Sequence, residues 1–162
     1  MIILGIDPGV GRLGWGIVQV DGSRFKPQNF GCIETDKGLL EKRIQTVYEE
    51  VSKLIKEYQP DVVSIEDLFF TNNAKTAFMV GQARGVVLLA ASQAGLPISV
   101  YTPQQVKLAV TGYGKADKKQ VGEMVKVLLK LKTVPKLDDT ADALAIALTH
   151  AFSYKLKASI LK

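Results

Sequence analysis

An α/β fold, with a mixed five-stranded central sheet flanked by helices, is what this sequence predicts, and three observations carry that expectation. Two short apolar runs, MIILGID and DVVSIE, each end in an acid, the pattern of buried strands that deliver a polar group at their tip. Residues 14–20 and 30–35 alternate apolar and polar side chains and are linked through Asp21-Gly22, a hairpin signal. Helical spacing then takes over. Ile44, Val47, Val51, Leu54 and Tyr58 fall three or four apart with Lys and Glu between them.

Composition sets the bounds. The chain has 162 residues, 47% hydrophobic and 23% charged, which suits one domain and excludes disordered and collagen-like classes. A chain of this length hides roughly 70% of the surface it exposes when unfolded, so a core forms without disulfides or structural metal. Residues 1–162 are therefore read as one domain. The single Cys32 can make no intrachain disulfide, and its apolar surroundings predict a buried, inert thiol in a reducing cytoplasm. No apolar run reaches the ~18 residues of a membrane span, and the N-terminus lacks the features of a signal peptide.

Each element has its own local cause. MIILGID is closed by Asp7-Pro8-Gly9, a turn signal, and Pro60 ends the helix over 40–58 because proline has no N–H to continue it. Asn72 or Asn73 can cap a long helix through residue 94, whose Ala, Gly and Val content suggests burial on several sides; Gly95 stops it. ISVY is the last strand. Thr102-Pro103 is an N-cap followed by proline at the first helical position, which predicts a short helix over 104–110. TGYGKADKK is then a polar loop before a helix over 118–131, and a final helix after Pro135 opens with acids in its first turns, where the helix dipole favours them. The order βββαβα, then β and further helices, is the ribonuclease H-like arrangement.

Acids carry the chemistry. Asp7 and Glu66 end apolar strands, where an unpaired carboxylate is costly and a bound cation would remove the cost. Asp139 and Asp142, three apart, share a face of their helix. Four oxygen donors without histidine or cysteine describe a hard-cation site, Mg2+ or Mn2+ rather than zinc. Two such ions about 4 Å apart suit phosphodiester hydrolysis. Read singly, the same acids are a turn former, a frayed strand end and two helix-start dipole partners. Net charge of +5, from 21 Lys and Arg against 16 Asp and Glu, suits a polyanionic partner such as nucleic acid.

Four segments together resemble the RuvC family of bacterial Holliday junction resolvases: IDPG, IEDLFFTNNAKTAFMVGQARG, PQQVKLAVTGYGKADKKQV and DDTADALAIALTH. The resemblance spans essentially the whole chain. It implies catalytic and metal-ligating roles for Asp7, Glu66, Asp139 and Asp142, although some relatives carry histidine at the position matching Asp139; Asp138, i, i+4 from Asp142, is an extra acid that can take the place of Asp139. It further implies two Mg2+ ions per site, a homodimer, and paired symmetric nicks in a four-way junction during homologous recombination and repair. The products would carry 5′-phosphate and 3′-hydroxyl ends, and a branch-migration motor of the RuvA and RuvB families would be a partner. A twofold pair of cuts calls for a twofold interface, expected on the helix over 73–94.

DNA contacts are expected at Phe69, Asn73, Arg84, Lys107 and Lys118. Phe69 can stack on a base or wedge a junction, against the plainer reading of a core plug. Asn73 can touch phosphate or cap its helix, and Arg84 can pair an acid or a phosphate. Lys107 and Lys118 flank the glycine-containing loop, where the resemblance implies lysines near the scissile phosphate. Lys115 and Lys119 rank behind them, then Arg12 and Lys75. His150, eight residues beyond Asp142, reads as structural, and Trp15 and Tyr101 as sheet residues. Two other readings compete: a ribosomal-RNA-processing nuclease of the same fold, and a junction-binding module without catalysis. An actin-like ATPase would need a second half that this length does not hold.

Overall fold

The computed structural model describes residues 1–67 and 74–160, the side chains of 74, 75 and 155–160 excepted. Three antiparallel strands open it: β1 (Ile2–Asp7), β2 (Arg12–Asp21) and β3 (Arg24–Glu34). The elements that follow are α1 (Leu40–Tyr58), β4 (Val62–Glu66), α2 (Ala74–Gln93), β5 (Ile98–Tyr101), α3 (Pro103–Thr111), α4 (Lys118–Leu128) and α5 (Asp138–Ile160). The strands form one sheet in the order β3-β2-β1-β4-β5, with β1, β4 and β5 parallel to one another and β2 antiparallel to both neighbours.

Side-chain alternation along the strands divides the core into two layers. Leu4, Ile6, Leu13, Ile17, Val63 and Ile65 face α1 and α2, where Val47, Val51, Val87, Ala90 and Ala91 meet them. Ile3, Val18 and Val62 face the other way, onto Leu144, Ala145, Ile146, Ala147 and Leu148 of α5, which α3 and α4 cover in turn. Because α5 is enclosed by sheet and helices, its residues from Ala143 to Thr149 are all buried. Ser64 on β4 ties strand to helix by donating to the Ile146 carbonyl at 3.1 Å.

The close approach of α5 needs strands without side chains under it. A Cβ on Gly5 would stand 2.2 Å from the Ala143 carbonyl oxygen, and one on Gly14 would stand 1.8 Å from that of Asp139. A side chain at either position would force the helix backbone to shift, so glycine is required for this close a seat, and the sheet surface the two leave bare holds the helix.

Most local expectations hold. Thr102 and Gln105 form a reciprocal capping box at the start of α3, as Thr102-Pro103 predicts, and Asp117 with Gln120 does the same for α4. Strand β3 begins well before residue 30, because the two-residue turn at Gly22, with φ of 54°, pairs Asp21 directly with Arg24. Pro27 and the polar Gln28 and Asn29 hide this from sequence patterning; an edge strand tolerates them, and a register shift at Ile17/Val18 accommodates the proline. Helix α4 stops at Leu128, not 131, since Lys130 turns to a positive φ of 53°. Cys32 is half-buried instead of buried, for β3 is an edge; burial, then Asp139 and Glu34, push its pKa up and keep the thiol protonated.

Candidate active site at the carboxyl edge of the sheet

Period two along the strands decides which face the acids take. Ile3, Gly5 and Asp7 of β1 share the α5 face, as do Val62, Ser64 and Glu66 of β4. The parallel ladder runs from Ile3↔Val62 to Ile6↔Ile65, so Asp7 and Glu66 stand side by side one residue beyond the last matched pair. Asp7 is also paired with Gly14, the position over which the Asp139 backbone passes. Asp142 follows one turn later on the same helix.

Two adjacent cavities record this convergence. One, of about 420 Å³, is lined by Asp7, Glu66 and Asp139 together with Arg12, Thr76 and Val80. The second, of about 280 Å³, is lined by Asp7, Glu66 and Asp142 with Lys107, Lys118 and Pro103. All four expected acids are thus brought to one place, and both lysines with them. Asp138 is exposed and lines a neighbouring groove with Lys118, Lys119, Glu123 and Asp142, so it borders the site on the Asp142 side without sharing a cavity with Asp7 and Glu66.

Burial and mutual repulsion among the acids dominate the electrostatics. Burial, followed by the charges of Asp142, Glu66 and Asp139, raises the Asp7 pKa to about 8. Burial and then Asp142 raise Glu66 to about 7, with Lys118 and Lys107 opposing. Asp142 is likewise raised by burial, although Lys118 Nζ lies 3.1 Å from its Oδ2 and lowers it. Burial lowers the Lys118 pKa, but Asp142, Asp138 and Asp7 outweigh it and the net shift is upward. Arg12 Nε stands 3.3 Å from Asp139 Oδ2.

An all-oxygen donor set at this tension fits a hard divalent cation, which would replace mutual repulsion by shared attraction. Among the described residues, no three acids are close enough to grip one ion as they lie. Lys118 and Arg12 each stand against one acid of α5, so ion binding calls for a local shift of side chains.

The other expected contacts divide. Phe69 and Asn73 lie outside the described residues. Arg84, expected on DNA, has a side chain only 18% exposed, and it faces Asp67 at 3.6 Å, directly after Glu66. An arginine so placed sits beside the end of β4, next to the acid edge. His150 is structural, with Nδ1 2.9 Å from the Tyr101 hydroxyl and its ring edge-on to that ring. Arg12, two residues before Gly14 on β2 and so on the same face of the sheet as the acids, lines the cavity of Asp7, Glu66 and Asp139.

A mixed sheet in this order, with carboxylates gathered at the carboxyl ends of its central strands under a buried helix, defines the ribonuclease H-like class. Comparison with known proteins narrows it. Residues 3–150 match the family model described as crossover junction endodeoxyribonuclease RuvC. A protein of that name from Brevibacillus brevis is 55% identical over 152 residues, covering 93% of this chain and 92% of the relative. The structure of Thermus thermophilus RuvC in complex with a Holliday junction substrate is 38% identical, with a TM-score of 0.92 over 97% of this chain and 96% of that one. The yeast mitochondrial Holliday junction resolvase Ydc2, at 14% identity and a TM-score of 0.68, shares the fold. The chain belongs to the RuvC family of crossover junction endodeoxyribonucleases.

Proposed function

We propose that this protein is a Mg2+-dependent endonuclease that resolves four-way DNA junctions by paired symmetric nicks, acting as a homodimer in the cytoplasm in recombination and repair. The observation that carries the reading is the gathering of Asp7, Glu66, Asp139 and Asp142 around two cavities flanked by Lys107 and Lys118. A relative solved with a Holliday junction supports the choice of substrate. Asp139 is preferred to Asp138 as the fourth ligand, because it shares a cavity with Asp7 and Glu66 and Asp138 does not.

Two Mg2+ ions, or Mn2+ in their place, would be held by these four acids and would supply activation of water and charge neutralisation at the leaving oxygen. The chain's own residues do the rest. Glycine-seated α5 fixes Asp139 and Asp142 against the strand tips, the position-dependent part of the chemistry. Lys107 and Lys118 line the same cavity and are placed to neutralise a phosphate drawn toward the acids. Phe69 and Asn73, which follow β4 in the sequence, are proposed to contact bases and backbone at the junction, as the family resemblance suggests.

The dimer face is proposed on α2. Phe78, Gln82, Gly85 and Leu89 follow one another at helical spacing along one stripe, with Phe78 68% and Leu89 51% exposed. Large apolar groups in a stripe are the usual mark of a helix awaiting a partner, and twofold cuts require a twofold pair of sites. A RuvA and RuvB type motor is proposed as a working partner on the family resemblance alone.

The test uses an end-labelled synthetic four-way junction, a linear duplex of the same sequence and a structured RNA, each with Mg2+ or chelator. Mg2+-dependent paired nicks in the junction alone are expected. Tight junction binding without nicks on varied sequences would leave a binding module, and RNA cleavage would favour the ribosomal-RNA nuclease reading.

A further inference from the structure

We propose that Arg12 couples DNA contact to the seat of Asp139: its Nε steadies the carboxylate while its outer nitrogens receive a backbone phosphate of the strand being cut. This rests on the junction-cutting reading above and deepens it by adding a residue that acts on both substrate and ligand. Arg12 is the first residue of β2 and shares a face with Gly14, the glycine beneath Asp139. Its Nε lies 3.3 Å from Asp139 Oδ2, an oxygen buried from solvent that has no aligned hydrogen bond. Remove the guanidinium and that oxygen has lost its opposing charge in a cavity already holding Asp7 and Glu66.

The same side chain is 54% exposed, against 25% for Asp139, and it lines the acid cavity. One nitrogen is therefore committed to the acid while much of the planar group stays open. A guanidinium has five N–H donors in a fixed fork and can serve a carboxylate and a phosphate at once; an ammonium is a point charge with a different reach. The turn that presents Arg12 is itself fixed. Thr35 donates to the Val10 carbonyl at 2.6 Å and accepts from Arg43 Nε at 2.9 Å, and the Thr35 N–H donates to the Gly11 carbonyl at 3.1 Å. Arg12 thus starts from a held backbone, and a phosphate arriving on its outer nitrogens would share the guanidinium with Asp139.

The experiment compares wild type, Arg12→Ala and Arg12→Lys in two readouts. Junction affinity is measured without divalent ions across a salt series, and single-turnover cleavage is measured with Mg2+ at saturating protein. Arg12→Ala should flatten the slope of log affinity against log salt by about one, the loss of one phosphate contact, and slow cleavage about tenfold or more. Arg12→Lys should recover the slope but not the rate. Arg12→Ala with unchanged slope and rate overturns the proposal. So does a slowed rate with unchanged slope, which would confine Arg12 to Asp139, or full recovery of both by lysine, which would reduce its role to charge. Because the slope is read without metal, a wild type that binds the junction and never cuts it would sink the resolvase reading while leaving the phosphate contact measurable. Arg12→Gln, of similar length and uncharged, should match Arg12→Ala, and its melting temperature reports whether any loss comes from folding.

Discussion

The two ends of the central parallel strands treat their polar groups in opposite ways. At the end where β1 and β4 begin, Asp61 accepts a hydrogen bond from the Ile2 N–H at 2.6 Å, and the N-terminal amine donates to the Val20 carbonyl at 3.2 Å. At the end where they finish, Asp7 and Glu66 face further acids and carry strongly raised pKa values. One end is neutralised within the chain and serves stability. The other is held in repulsion by the same sheet and the same helix, a cost that folding bears so that a cation and a phosphate can relieve it.

Changes at the finishing end should abolish chemistry and spare the fold. Asp7→Asn is expected to lower junction cleavage on the order of 10³-fold or more while junction binding, followed by gel shift, persists or tightens, since a negative charge has left the path of the phosphates. Binding lost in proportion to cutting would remove Asp7 from the ligand set.

The seat of α5 is the next most sensitive point. Gly14→Ala places a Cβ within 1.8 Å of the Asp139 carbonyl. A loss of about 2–3 kcal/mol in urea unfolding is expected, with cleavage falling in the protein that still folds, because Asp139 must move to admit the methyl. Lys118→Met tests the flank: cleavage should drop about 10- to 100-fold, more than junction affinity does, as Asp142 loses its 3.1 Å partner and the phosphate a nearby charge.

The repulsion also sets a pH dependence. Asp7 and Glu66 are raised from 3.8 and 4.5 to about 8 and about 7, so the folded state favours their protonated forms. Their contribution to stability is fully present below about pH 4 and is lost as pH rises through about 7 to 8. Melting of metal-free protein should therefore show falling stability across that window. Asp7→Asn should flatten the fall and melt higher than wild type near pH 8 by about 3 °C or more, and Mg2+ should raise wild type more than the variant. At the opposite end the smallest effect is expected: Asp61→Ala removes the bond to Ile2, costs about 1 kcal/mol and leaves cleavage unchanged.

Much of this division was legible in sequence. Apolar runs closed by Asp7 and Glu66, the Asp21-Gly22 turn, the Thr102-Pro103 start and the three-residue spacing of Asp139 and Asp142 are local signals, written in neighbours along the chain. Less legible were features whose cause lies across the sheet. The early start of β3 depends on an edge position, the half-burial of Cys32 on the same edge, and the pairing of Arg84 with Asp67 on how α2 lies beside β4.

Sequence alone therefore determined the identity of the elements and the chemical type of the site, because periodicity, caps, turns and donor chemistry act over a few residues. Tertiary structure alone decided which acids meet. Register brings Asp7 beside Glu66, and bare glycines let α5 descend until Asp139, not Asp138, faces them with Arg12 alongside. Such proximity is a product of long-range packing, which no local pattern encodes.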